Sequence, residues 1–414
     1  MKILFETHLQ FSYFFKLGIC NLEVLLLQGR LNKAMGPEFN DDQIKIRAMT
    51  LPKSLISQVL TNCDISDAHH AGLYSICGLA LRLRDLYKWE MGLLPWQEND
   101  PKEVLAWIGA KEDYWDAIEE KDYGRICIHA GKYDPFDTLT INQVLAPDNL
   151  FYGAGYARSL KPTFFLAPIQ SIEEIDGVNI YSLAKELARD LLTLPALTQD
   201  DAVVLRIEAA KLYLWDQIIY LKKSGRPALN MALTAAGISS SNPQTIKQHF
   251  DEIFNIFKDT YIHHELGEIK ERNFDRAVWR GLVSQFAHTP VELLARAVKD
   301  LLADTHEIGA LTHIIRNRDM AALGFYAAFF DGLGKEIFPQ LRDAFNKFSK
   351  DLDWSIMEQV LAEGRKRARK LAHDMTAIYL AGKSKEDFRW IAKEIDQAIL
   401  APILKCKTKD EFKP

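Results

Sequence analysis

Cysteine is scarce and scattered in this chain: five occur in 414 residues, Cys20, Cys63, Cys77, Cys127 and Cys406, with no CxxC pair. An odd, widely spaced set builds neither a disulfide framework nor a zinc knuckle, so a reducing compartment, the cytoplasm, is expected. Long apolar runs are missing too. No stretch reaches the roughly 18 uncharged apolar residues of a membrane-spanning helix, so no membrane partner is expected. Positive charge is not in excess either. A formal net charge of -5 gives no global basic field, which argues against nucleic acid as a partner and leaves a protein partner or homo-oligomer open. The glycine-rich Gly153-Ala-Gly-Tyr-Ala-Arg158 lacks GxGxxG spacing, no GKS or GKT follows it, and there is no GxSxG. A backbone phosphate cradle and a nucleophile elbow are therefore both unsupported.

What is present is ordinary globular composition, 48% hydrophobic and 26% charged, in a chain long enough for two domains. Residues 1–48 read as an extension outside any domain. Its apolar start is interrupted by His8 and Gln10 and is followed by no A-x-A site, so it makes a poor secretion signal, and Leu22 to Gly29 and Gly36 to Phe39 read as linker. The expected division is an α-rich domain with a small β element over 49–236, an all-α domain over 243–404 and a tail over 405–414. The polar, proline-broken Gly237–Pro243 stretch serves as the linker.

Helix punctuation carries most of the fold reading. Asp64 or Asp67 is expected to cap a long helix running to about Trp89, and Pro101 to open a second one. Strand is expected at Arg125–His129 and Thr163–Ile169, with Asp176-Gly177 as a two-residue hairpin turn. Helical periodicity is read again over Ser182–Leu194 and over Thr198–Lys223, the latter opened by a capping box of Thr198 and Asp201. Only helices follow Pro243. The fold expected is mainly α: a multi-helix bundle with a small β-hairpin or short sheet in the N-terminal half.

The sharpest chemical signal lies in His249–Arg272. A helical step puts Phe250, Ile253, Phe254, Phe257 and Tyr261 on one stripe, and the same stripe continues into His264, Glu265 and Glu268, while His263 points away. Carboxylates on an inner face cost several kcal/mol each unless a metal, cations or water meets them. His264 and Glu268, at i and i+4, can both reach one divalent metal, and imidazole with carboxylate suits Zn or Fe. His306 and His313 share a face and are the candidates to complete the ligand set, with Glu265 as proton acceptor. The plainer reading is a charged helix end paired with Arg272 or Arg276. The Glu-x-x-His motifs of di-iron bundles do not occur in this stretch, which counts against such a centre. Glu292 reads as the cap of a helix opened by Thr289-Pro290. His69 reads as a core histidine, Cys77 beside Arg84 as inert, and the basic run Gly364–Lys370 as a solvated helix face.

The run Leu73-Tyr-Ser-Ile-Cys-Gly-Leu-Ala-Leu-Arg-Leu-Arg-Asp-Leu-Tyr-Lys-Trp-Glu90, with Pro95-Trp96 and His263-His-Glu-Leu-Gly-Glu268, resembles an uncharacterised, conserved hypothetical family of α-helical proteins from sulfate reducers and other bacteria. The resemblance covers about Met49 to Leu404 and implies no activity. Two functions are therefore carried forward: a metal-binding helical protein, enzymatic if the His/Glu cluster is a centre, or a non-catalytic interaction or scaffold protein.

Overall fold

The computed structural model describes residues 53–405. The expected extension over 1–48 lies outside them, as does the expected tail apart from Lys405. The chain opens with α1 (Lys53–His70), α2 (Ile76–Glu90) and α3 (Pro101–Asp116), followed by a short hairpin of β1 (Ile126–Ile128) and β2 (Gly131–Tyr133) and by α4 (Thr138–Leu145). Six further strands come next: β3 (Leu150–Tyr156), β4 (Pro162–Ile175), β5 (Val178–Leu183), β6 (Ala188–Arg189), β7 (Ala196–Gln199) and β8 (Ala202–Arg206).

This sheet corrects the expected fold class. A mainly α bundle with a small hairpin or short sheet is replaced by a six-stranded, curled mixed sheet in the N-terminal half beside a helical C-terminal region. The order is β3-β4-β5-β8-β7 with β6 also on β4, and the β5–β8 pairing is parallel. The long β4 lets the sheet curl. Its first half pairs with β3 and β6 and its second half with β5, and the register shifts between Ile169 and Ser171, where a bulge bends the strand.

One expected helix and the opening of another dissolve into this sheet, while the rest of the second stands as the helix over Ile207–Ile219. Ser182–Leu194 supplies the end of β5 and β6, and Thr198–Arg206 supplies β7 and β8. Asp200 and Asp201 both take positive φ, 51° and 61°, so they form a tight hairpin turn and not a helix cap. The Asp176-Gly177 turn forms as read, joining Ile175 to Val178. Asp64 and Asp67 do not cap a helix: both are buried within α1, and Ser75 caps α2, accepting from Gly78 N–H at 3.2 Å.

Beyond the sheet run α5 (Ile207–Ile219), α6 (Arg226–Ala235), α7 (Pro243–Gln248), α8 (Phe250–Lys270), α9 (Arg276–Gln285), α10 (Pro290–Asp304), α11 (Ala310–Arg316) and α12 (Met320–Phe329). They are followed by α13 (Gly332–Ile337), α14 (Gln340–Asp351), the long α15 (Trp354–Lys383), α16 (Phe388–Ile395) and, after one π turn, α17 (Ala401–Lys405). Alternation along β3 and β4 feeds two cores. Tyr152, Phe164 and Leu166 pack with Leu55 and Val59 of α1, while Phe151, Phe165 and Ala167 pack with Val204 on the other face. Val178, Ile180, Val203 and Leu205 join the largest core, which continues through the helices to Ile403. Each fully buried side chain of this size contributes about 1.5–3 kcal/mol. The helical region is therefore seated on the face of β5, β8 and β7 that carries these side chains. Among the described residues no helix is long and apolar enough to cross a membrane.

Candidate metal centre

The centre is built where α8 crosses α10. Phe250, Ile253, Phe254 and Phe257 bury the first two turns of α8, and Ile262, Leu266 and Ile269 continue the anchoring. Gly267 sets the spacing: a Cβ there would stand 2.2 Å from the carbonyl oxygen of Ala303, so only glycine allows the two backbones this close. Their approach brings His264, Glu265 and Glu268 against Lys299, Asp300 and Asp304.

His264 lies between two carboxylates. Its Nδ1 is 2.7 Å from Asp304 Oδ1, and Asp304 Oδ2 accepts the Tyr326 hydroxyl of α12, also at 2.7 Å. Its Nε2 faces Glu268 Oε1 at 3.8 Å. The second oxygen of Glu268 accepts from Lys299, whose ammonium lies 4.2 Å above the Trp279 ring of α9. Glu265 turns toward the sheet and accepts the Thr198 hydroxyl of β7 at 2.9 Å. One ligand atom each from His264, Glu268 and Asp300 falls within 4.8 Å of the others.

Charge is out of balance here, with four carboxylates facing His264 and Lys299. Burial first, then Glu268, raise Glu265 to about 7, against the pull of His264 and Thr198. Asp300 is exposed at the surface of α10, yet the surrounding protein, helped by Glu268 and Asp304 and opposed by His264, raises its carboxyl to about 6. Although burial disfavours its charge, Asp304 holds the His264 imidazole well above the usual histidine range. The side chains keep partial contact with water, at 28% exposure for His264 and 17% for Glu268.

The sequence reading placed His264, Glu265 and Glu268 on one face, and the structure brings these three together. It does not bring His306 and His313 to them. His306 sits beside Arg365 and Glu271, its Nδ1 3.4 Å from the Ile308 N–H. His313 stacks on His263, ring centroids 3.6 Å apart, and pairs with Asn317. Nor do Arg272 and Arg276 pair with the cluster. Arg272 donates to the carbonyls of Ile269 and Glu271, and Arg276 meets Asp201. The residues missed are Asp300 and Asp304. A signal was present: like charges at i and i+4 repel, and acidic groups in the last turn oppose the helix dipole. The capping box read at Thr289–Glu292 does not form: Thr289 donates its hydroxyl to the Phe286 carbonyl, and Glu292 accepts from His288 N–H at 3.0 Å, one residue before the N-cap.

Models of the N-terminal and C-terminal domains of a family of unknown function, DUF6866, match residues 54–206 and 211–398. No curated protein and no solved structure matches the chain.

Proposed function

Because the chain belongs to the DUF6866 family of unknown function, we propose a role from its geometry: it binds a divalent transition metal through His264 Nε2, Glu268 and Asp300. The observation that carries this is the Asp304–His264 contact of 2.7 Å. A carboxylate on Nδ1 orients the imidazole with Nε2 outward, the arrangement that supports metal-ligating histidines, and an ion there would displace the Nε2 proton that Asp304 helps the ring to hold. Glu268 has a free hand, since Lys299 takes Oε2 while Oε1 faces His264.

Ligands about 2.0–2.2 Å from one ion stand roughly 3.3–3.6 Å apart in a tetrahedron. The present separations, up to 4.8 Å, would have to shorten to that range on binding. Imidazole with two carboxylates favours Zn or Fe, and three protein ligands leave a position for water, as catalytic sites do. Such an ion would supply an acidified water. Glu265, held near neutrality beside it, would take that water's proton. Cys63, Cys77 and Cys127 are free thiols, and we place the protein in the bacterial cytoplasm on that basis and on the family resemblance.

Elemental analysis of protein purified without a metal-affinity tag tests this reading. Stoichiometric metal in the wild type, lost in the His264→Ala/Glu268→Ala double variant, is the expected result. Metal that is absent after zinc reconstitution, or unchanged in the double variant, overturns it. A second reading, an internal ion network in a non-catalytic interaction protein, rests on the Lys299–Glu268 and His264–Asp304 pairs. In that case the double variant loses stability and no metal.

A further inference from the structure

We propose a second site, a cleft between α2, β6 and α5 that binds a small α-amino acid with an aliphatic side chain. None of the metal ligands lines this cleft, so the proposal does not rest on the metal reading.

The cleft is a cavity of about 80 Å³, room for about five to eight waters and so for a molecule about as large as valine. Its walls are fastened at two points. The buried ammonium of Lys88, near the end of α2, donates to Pro95 O at 2.8 Å and to Glu98 at 2.6 Å, which folds the following loop back over the helix. Trp89 Nε1 donates to Glu186 O at 3.0 Å and ties the same helix to the stretch leading into β6. From α5 come Glu208 and Leu212, four residues apart and hence on one side of the helix.

The lining divides by polarity. Trp89, Leu93, Leu94, Pro95 and Leu212 supply the apolar part, and Lys88, Lys185, Arg189 and Glu208 the charged part. Lys88 is spent on the loop. Arg189 keeps a nitrogen in reserve. Asp190 O takes its Nε at 3.1 Å and Thr193 Oγ1 its Nη2 at 2.9 Å, but among the described residues Nη1 has no hydrogen bond and stands 3.6 Å from Glu186 Oε2. Glu186 serves two buried guanidiniums, since its other oxygen accepts Arg206 Nε at 2.5 Å. The neighbouring Asp190 carboxylate is held by Lys161. Lys185 reaches the same opening: its ammonium lies 3.3 Å from where a Cβ on Gly92 would stand, and Gly92 takes a left-handed φ of 67° that glycine adopts without strain. Among the described residues neither Lys185 nor Glu208 is in an ion pair.

Two cations, a carboxylate and an apolar wall in one cleft match the three parts of an aliphatic amino acid. The ligand carboxylate goes to Arg189 Nη1 and the Lys185 ammonium, bonds in which both partners are charged. Its ammonium goes to Glu208, and its side chain lies against Trp89, Leu93 and Leu212. A simple carboxylic acid leaves Glu208 facing another anion, and a simple amine leaves both cations unused.

Calorimetric titration of the full chain with L-valine tests the proposal, beside isovalerate and isobutylamine, which keep its skeleton and each lack one of its charges. Valine should bind at least about tenfold more tightly than either analogue, the value of a charge-assisted bond. Lys185 is exposed and Glu208 half-buried, so Lys185→Ala and Glu208→Gln should leave the circular dichroism spectrum unchanged. Lys185→Ala should weaken valine about tenfold and leave isobutylamine where it was, and Glu208→Gln should remove most of the advantage of valine over isovalerate. The His264→Ala/Glu268→Ala variant should bind valine as the wild type does, which separates this site from the metal reading. No binding of valine, isovalerate bound as tightly as valine, or valine affinity unchanged in both Lys185→Ala and Glu208→Gln overturns the inference.

Discussion

Asp304 spans His264 and Tyr326, taking the imidazole Nδ1 on one carboxylate oxygen and the phenol on the other, each at 2.7 Å. Asp304→Asn keeps the shape and removes the charge that orients the imidazole. Loss of such a support weakens metal affinity by about 10- to 100-fold. Competition with a chromophoric zinc chelator measures this. An unchanged affinity with intact helicity would show that Asp304 does not orient the ligand.

Gly267 is the point where the fold makes the centre possible. Gly267→Ala drives a methyl against the Ala303 carbonyl, and overpacking of this kind costs about 1–3 kcal/mol. Because the strain separates α8 from α10, zinc affinity should fall together with the urea midpoint. Gly109→Ala in α3 is the control: nothing lies within 4 Å of its Cβ, so it should stabilise by about 0.4–1 kcal/mol.

The α8 cluster was legible because its apolar stripe is long and regular, so that Phe250 to Phe257 fix the phase in which His264, Glu265 and Glu268 fall. The partner face was not. His306 and His313 were chosen by residue type, yet α10 ends at Asp304, and the turn that follows sends His306 toward Arg365 while α11 carries His313 to His263. The sheet was hidden for a related reason. Val203, Val204 and Leu205 are all buried, Val204 in one core and its two neighbours in another. A strand covered on both faces shows no alternation, and it runs directly into α5 at Ile207, so a continuous apolar pattern reads as one helix. Asp67 was misread for want of a partner in sequence: Lys161, which holds it, is far away along the chain.

That partner carries its own prediction. Lys161 lies 2.9 Å from Asp67, 3.4 Å from Asp190 and 3.0 Å from Ser66 Oγ, and its side chain is 1% exposed. Lys161→Met leaves two buried carboxylates facing each other, and breaking a buried pair in this way costs about 3–5 kcal/mol. Adding Asp67→Asn should return part of the loss in urea unfolding. A single variant as stable as the wild type would mean that the site is hydrated.

The same trio fixes a pH dependence. Burial first, then Asp190, raise the Asp67 carboxyl from 3.8 to about 7 despite Lys161. Burial and Asp85 raise Asp216 to about 7 against Arg84. Between the unfolded and folded values the folded chain keeps protons that the unfolded chain has already released. Stability from these two groups is therefore fully present below about pH 4 and lost as pH rises through about 7. Asp190 shifts downward, so its contribution disappears on acidification below about pH 4, outside that window. Urea midpoints across the interval should fall with rising pH in the wild type and fall less in Asp67→Asn/Asp216→Asn. Parallel profiles for the two proteins would show that both carboxylates ionise in the folded state at their ordinary pH.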